Sequence, residues 1–175
     1  MTHPLVVQLR FTRSEWLRGL EGVSEADAVR HFGRMNCISW TVGHPAWQEN
    51  LNWIQRVQGK PLYPELNEIY AMGAPMSSPA LKDSLALWRG VTQASEPYLD
   101  SLTTEKLQET FVSAMSGTVR SVGSALQRTI YHYWYHLGEV QAIRQMLDQR
   151  DLPQFRRARD RPRGGLPAGF KIDSK

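Results

Sequence analysis

A single cysteine, Cys37, stands in a chain of 175 residues, so no intramolecular disulfide is available. That excludes secreted disulfide scaffolds and zinc sites built from thiolates alone, and it makes a reducing cytoplasm the expected compartment. No run of 18 or more apolar residues is present, so no membrane-spanning helix is expected. The opening stretch MTHPLVVQLRFTRSEW turns polar too soon after Val7 to read as a secretory leader. Strand-like alternation is confined to short segments, and there is no internal repeat. A net charge of one sign is also missing from most of the chain. Residues 1–149 hold 13 Lys+Arg against 14 Asp+Glu, whereas residues 150–175 hold 8 against 3, so the overall +4 arises in the C-terminal tail. That tail lacks the interleaved aromatics of a single-strand-binding groove. Its arginines are interrupted by Asp151 and Asp160, and Pro153 and Pro162 oppose a continuous recognition helix. Nucleic acid is therefore not an expected partner, and any attraction to phosphate should be sequence-independent and salt-sensitive.

What is present is helical periodicity. Leu5, Leu9, Trp16 and Leu20 form a first stripe, closed by Gly19 and Gly22, and Ser24 to Asp27 reads as a short capped turn. A second helix is predicted from about Ser39 to Gln58, with Val42, Ala46, Trp53, Ile54 and Val57 facing the core and Gly59-Lys60-Pro61 stopping it. Residues 59–78, with three prolines and Gly73, form a connection long enough to cover a site. A third helix should open at Ser78-Pro79 and carry Leu81, Leu85, Trp88, Thr92, Ser95, Leu99 and Leu102 at alternating spacings of 4 and 3, the seam of a bundle. Pro97 should loosen its last turn. A short helix after Thr103 and a hairpin or loop from Phe111 to Val119 lead to a fourth long helix, about Ser121 to Gln149, with Val122, Leu126, Ile130, Trp134, Leu137, Gln141, Arg144 and Leu147 on or near one stripe. Each amphipathic helix must bury its stripe against another, so the expected fold class is all-α, a four-helix bundle. The expected organisation is a bundle domain over residues 1–152 and a basic Arg/Pro/Gly-rich tail over 153–175.

The histidines carry the candidate chemistry. His3 and His31 lie in terminal or polar surroundings, but His132 and His136 stand one turn apart on the last helix and share a face. Two neutral imidazoles so placed can chelate one divalent ion, and a third donor is needed from another helix. His44, in Gly43-His44-Pro45-Ala46-Trp47, is the best candidate. Pro45 lacks an amide hydrogen and disfavours helical geometry at His44, so the helix should start or kink there. Tyr133 occupies the place where a zincin protease carries its glutamate, which argues against that class. The alternative reading is two ordinary amphipathic histidines and a plain helix start.

The segments NCISWTVGHPAWQENLNW and, about 90 residues later, YHYWYHLGEVQAIRQML together resemble the DinB-like (damage-inducible) family. That family has one histidine early in its second helix and H-x3-H-x-G-[EQ] in its fourth, matched here by His44 and by His132, His136, Gly138 and Glu139. The resemblance covers about residues 5–150. It implies a four-helix bundle with a non-sequential helix order, a three-histidine site for a divalent metal ion (zinc, nickel or iron), and a homodimer. Some relatives are metal-dependent transferases or isomerases using low-molecular-weight thiols such as bacillithiol or mycothiol, whereas many have no assigned activity. Pro45 and the basic tail depart from the family pattern.

Three imidazoles would leave a bound ion doubly positive with open positions, where water drops to a pKa of about 7 and a thiol loses its proton. Glu139 falls on the face of His132 and His136 and could orient a histidine or accept a proton, which makes it the candidate catalytic residue. Gln48 shares the His44 face, and Glu49 is turned away. Trp47 is a pocket wall or a core residue, and Cys37 a fourth soft ligand or a buried small hydrophobe. The function these features imply is a metal-dependent transferase activating a thiol or water for attack on a small electrophile. The alternative is a non-catalytic stress-related or small-molecule-binding bundle with a structural metal.

Overall fold

A computed structural model describes residues 2–59, 62–113 and 116–154. The tail from residue 155 onward, on which the nucleic-acid expectation turns, lies outside the described residues, as do Lys60 and Pro61. Four long helical segments dominate. They are α1 (Pro4–Leu20), α3 (Ile38–Glu49) with its continuation, α6 (Leu81–Asp100) and α8 (Val122–Met146). Short helices α2 (Glu25–Ala28), α4 (Arg56–Gln58), α5 (Leu66–Ile69) and α7 (Thr104–Gln108) and one hairpin of β1 (Thr110–Val112) and β2 (Val119–Ser121) connect them. The hairpin is antiparallel, with Phe111 opposite Arg120.

The order around the bundle is not the order along the chain. α1 packs against α8, and α3 packs against both α6 and α8. Arg10 on α1 reaches Glu96 and Asp100 on α6. The first helix therefore packs chiefly against the fourth, and reaches the second and third through arginine ion pairs. At the centre, each long helix contributes one member of a polar layer. Arg13 Nε donates to Glu49 Oε1 at 3.0 Å, the Tyr133 hydroxyl donates to the same carboxylate at 2.6 Å, and Trp88 Nε1 donates to the Tyr133 oxygen at 2.7 Å. Burial opposes the charge on Arg13, but Glu49 holds its pKa above the ordinary value. Burial and the nearby Glu49 raise that of Tyr133.

Local signals explain most of the ends. His3 accepts from Leu5 N at 3.2 Å with Pro4 at the first helical position of α1. Ser24, Thr103 and Ser121 cap α2, α7 and α8. Arg144 donates to the carbonyls of Gly19 and Glu21, where α1 ends. Some expectations need correction. α6 opens at Leu81 rather than at Ser78-Pro79, because Glu25 of α2 accepts from Leu81 N (2.8 Å) and Lys82 N (2.9 Å) and so supplies a cap from a distant part of the chain. α3 begins at Ile38 and runs through Pro45, so the helix does not start at His44. Val57 is 43% exposed rather than in the core. On α8 it is Tyr133, fully buried, that fills the interior, whereas Trp134 is only partly covered. Pro97 stays inside α6.

Candidate metal centre

α3 is buried along its whole length, because it lies between α6 and α8 and beneath the connection that follows it. Trp40 Nε1 donates to the Ile69 carbonyl at 2.7 Å and Trp47 Nε1 to Asn67 Oδ1 at 2.9 Å, so both indoles pin residues 67–69 over the helix. The Tyr70 ring then lies against Gly43, where an added Cβ would sit 2.1 Å from the ring. The Tyr70 hydroxyl is held by Ser84 Oγ at 2.8 Å. This seating presents the Tyr70 carbonyl to His44 Nδ1 at 2.6 Å. After Glu49 the helix widens into a π-helical stretch, Asn50–Gln55, a form enriched near functional sites.

His44, His132 and His136 converge. One ring nitrogen from each lies within 4.8 Å of the others. A carbonyl and a carboxylate can only accept, so the protons are assigned by their partners. His44 Nδ1–H donates to Tyr70, and His136 Nδ1–H donates to Glu139 Oε2 at 2.6 Å. Both rings therefore turn an unprotonated Nε2 toward the cluster, the arrangement in which second partners prepare histidines as ligands. His132 Nε2 stands 3.0 Å from His136 Nε2, and its own Nδ1 is buried with no hydrogen-bond partner among the described residues. Two lone pairs at that separation repel unless a proton or a cation lies between them. A shared divalent ion would remove that conflict, so the donor set fits a metal.

Electrostatics agree with this reading. Burial pushes the His44 pKa down to about 4, and the Tyr70 carbonyl only partly opposes it. His132 is lowered to about 3 by burial, with His136, His44 and Arg128 adding to the effect. Both rings are neutral at pH 7, as ligands must be. Burial would raise the Glu139 pKa, but the hydrogen bond from His136 outweighs it and holds it below the usual range, with a further hydrogen bond from Tyr135. Of the two roles open to Glu139, its geometry serves the orienting one.

The cluster meets solvent along an open groove of about 260 Å³, lined by Gln48, Arg128, Tyr131, His132 and Tyr135. Other candidates fall elsewhere. Cys37 is buried at the start of α3 beside Ser39 Oγ (3.2 Å) and is not one of the converging ligands. Glu49 belongs to the polar layer of the bundle.

The DinB superfamily model matches residues 8–140. The chain belongs to the DinB superfamily. No match is found among curated proteins. Solved structures similar to this DinB chain include an uncharacterised protein from Clostridium difficile 630, at 10% identity and a TM-score of 0.62, over 82% of this chain and 95% of the other. A second is a conserved protein from Enterococcus faecalis, at 14% identity and a TM-score of 0.60, over 83% and 96%. These likenesses extend to the DinB fold. Within it, two aromatic neighbours of the histidines stand out. Trp40 and Trp47 stack on either side of the His44 ring, with centroids at 4.7 and 5.2 Å. Trp47 is thus a core residue packed on His44 and is not among the residues that line the groove. Trp40 was not singled out from sequence, although its place four residues before His44 puts it on the same helical face. Tyr70 was missed altogether, because a carbonyl partner leaves no side-chain signature. No helix among the described residues is long and apolar enough to cross a membrane.

Proposed function

We propose that this protein is a divalent-metal-dependent transferase, joining a low-molecular-weight thiol to a small electrophile. His44, His132 and His136 hold the ion, of which zinc, nickel and iron all suit imidazole donors. When bound, the ion supplies Lewis acidity that favours the thiolate over the thiol at neutral pH. The rest is the work of the chain. Tyr70 and Glu139 fix the tautomers of His44 and His136, so those rings need not reorganise to bind. Glu139 acts as a positioning residue, and its ionised carboxylate strengthens the donor character of His136. Trp40 and Trp47 keep water from the far side of His44. The groove leaves His132 reachable by a small molecule, and it is this opening onto the cluster that favours an exchangeable site over a purely structural one. We further propose a homodimer in a reducing cytoplasm.

The test is thiol transfer from bacillithiol or mycothiol to monochlorobimane, measured on metal-loaded protein, on stripped protein and on His132→Ala. Transfer that depends on metal and is lost in the variant supports the proposal. Equal rates in loaded and stripped protein would overturn the enzymatic reading and leave a small-molecule-binding bundle with a structural metal. Light scattering at monomer mass across micromolar concentrations would reject the dimer.

A further inference from the structure

The groove beside the histidines is built asymmetrically. Arg128 stands on α8 one turn before His132, so both side chains rise from the same face, with Cβ atoms about 5–6 Å apart. Its guanidinium makes no hydrogen bond or ion pair with any described residue, although it lines the groove. No acidic residue lines that groove. Glu139, the nearest carboxylate on the same face, is already engaged by His136 and Tyr135. Gln48 of α3, which lines the same groove, is 8% exposed, and its Oε1 is buried with no hydrogen-bond partner among the described residues. A buried amide oxygen without a donor is a cost that a ligand group can remove. Tyr131 and Tyr135, each 66% exposed, supply flat apolar walls with hydroxyl ends.

We propose that Arg128, Gln48, Tyr131 and Tyr135 form a carboxylate subsite, so that at least one reactant taken by the three-histidine site is a small acid whose carboxylate pairs with Arg128. A guanidinium fork matches a carboxylate in two parallel hydrogen bonds, and an exposed one that lines a groove with no acid among its lining residues, and has no partner among the described residues, favours that shape and charge. Gln48 takes a donor, such as an amide or hydroxyl, from larger members of the class. This rests on the metal-site reading, because without an ion the groove has no reacting centre.

The experiment uses full-length protein loaded with zinc, with metal content measured first for wild type, Arg128→Gln and Arg128→Lys. Calorimetry then compares two pairs of probes: 3-mercaptopropionate against neutral 3-mercaptopropanol, and acrylate against acrylamide. At least one acid should bind about tenfold tighter than its neutral partner in wild type, the scale of one charge-assisted pair. Arg128→Gln should erase that preference with metal content unchanged, and Arg128→Lys should keep part of it. The pair that shows the effect identifies whether the thiol or the electrophile carries the carboxylate. Metal present with no preference in either pair, or a preference that survives Arg128→Gln, overturns the subsite alone. Absence of bound zinc in wild type overturns the metal-site reading and the subsite with it.

Discussion

Replacing Gly43 by Ala tests whether the connection after α3 prepares His44. A Cβ at Gly43 would fall 2.1–2.5 Å from three ring atoms of Tyr70. That ring is 1% exposed and tethered through its hydroxyl to Ser84, so it cannot swing into solvent. The clash must be met by shifting residues 67–70 away from the helix. Overpacking of this kind costs up to about 3 kcal/mol. Alanine in a helix returns about 1 kcal/mol relative to glycine, so the net loss is about 2 kcal/mol. For a chain of this size that lowers the Tm by about 4–8 °C. The Tyr70 carbonyl would move with its ring and loosen its grip on His44 Nδ1, and losing such a second partner weakens metal binding about 10–100-fold. Gly138→Ala is the control, because nothing lies within 4 Å of a Cβ there. It should raise the Tm by about 2–4 °C through helix propensity alone. Thermal melts of stripped protein and competitive zinc titrations read both effects. Gly43→Ala with unchanged Tm and unchanged affinity would refute the reasoning. So would equal destabilisation by the two substitutions, since the cost would then come from the helix backbone and not from the Tyr70 contact.

Other outcomes follow from the polar layer, the buried histidines and the tail. Glu49→Ala leaves the buried Arg13 guanidinium with the partly exposed Glu96 and takes away the acceptor of the Tyr133 hydroxyl, so it should cost about 1.5–3 kcal/mol in urea unfolding, whereas changing Arg13 and Glu49 together to Met should cost less; similar losses in both would contradict a paired-charge role. Folded His44 and His132 hold pKa values of about 4 and about 3, below the unfolded value of about 6.5. The unfolded chain therefore takes up protons first. Metal-free protein should keep full stability above pH ~6.5 and lose up to about 1.4 kcal/mol per residue for each pH unit below it, until the folded pKa values are reached. Urea midpoints that do not fall between pH 7.5 and 5 would oppose this, and the variant lacking both histidines should show a shallower decline. Deleting residues 156–175 should leave metal content unchanged and remove any weak DNA attraction; sequence-selective DNA binding at about 150 mM salt, lost on truncation, would reverse that expectation.

The parts of this structure that were legible in the sequence are those written in short-range spacing. The stripe from Leu81 to Leu102, the Ser24 and Thr103 caps and the H-x3-H pair depend on neighbours within a turn, and the helical elements follow from them. What escaped depends on partners distant in the chain. Ser78 and Pro79 carry a sound local start signal, yet Glu25, 56 residues before Leu81, satisfies the first amides of α6 instead. Glu49 looks like a surface acid on a helix, and only the packing of four helices shows that Arg13 and Tyr133 compensate its burial. Trp134 entered the predicted stripe through its spacing of four from Ile130, whereas the interior takes Tyr133, one position before, whose hydroxyl bridges Glu49 and Trp88. At the site, the three histidines could be named from sequence because a spacing of four puts His132 and His136 on one face and a third donor, His44, completes the pattern of the DinB-like resemblance. Tyr70 could not, since it acts on His44 through its backbone carbonyl.

Metal stoichiometry tests the central claim most directly. Protein purified without chelator, with zinc, nickel and iron quantified by mass spectrometry, should hold about one divalent ion per chain, the number one three-histidine cluster provides. His44→Ala, His132→Ala and His136→Ala should each lose it while keeping the helical circular dichroism of the wild type. Undiminished metal in all three variants, or no metal in the wild type after incubation with each ion, would contradict the assignment of this cluster as a metal centre.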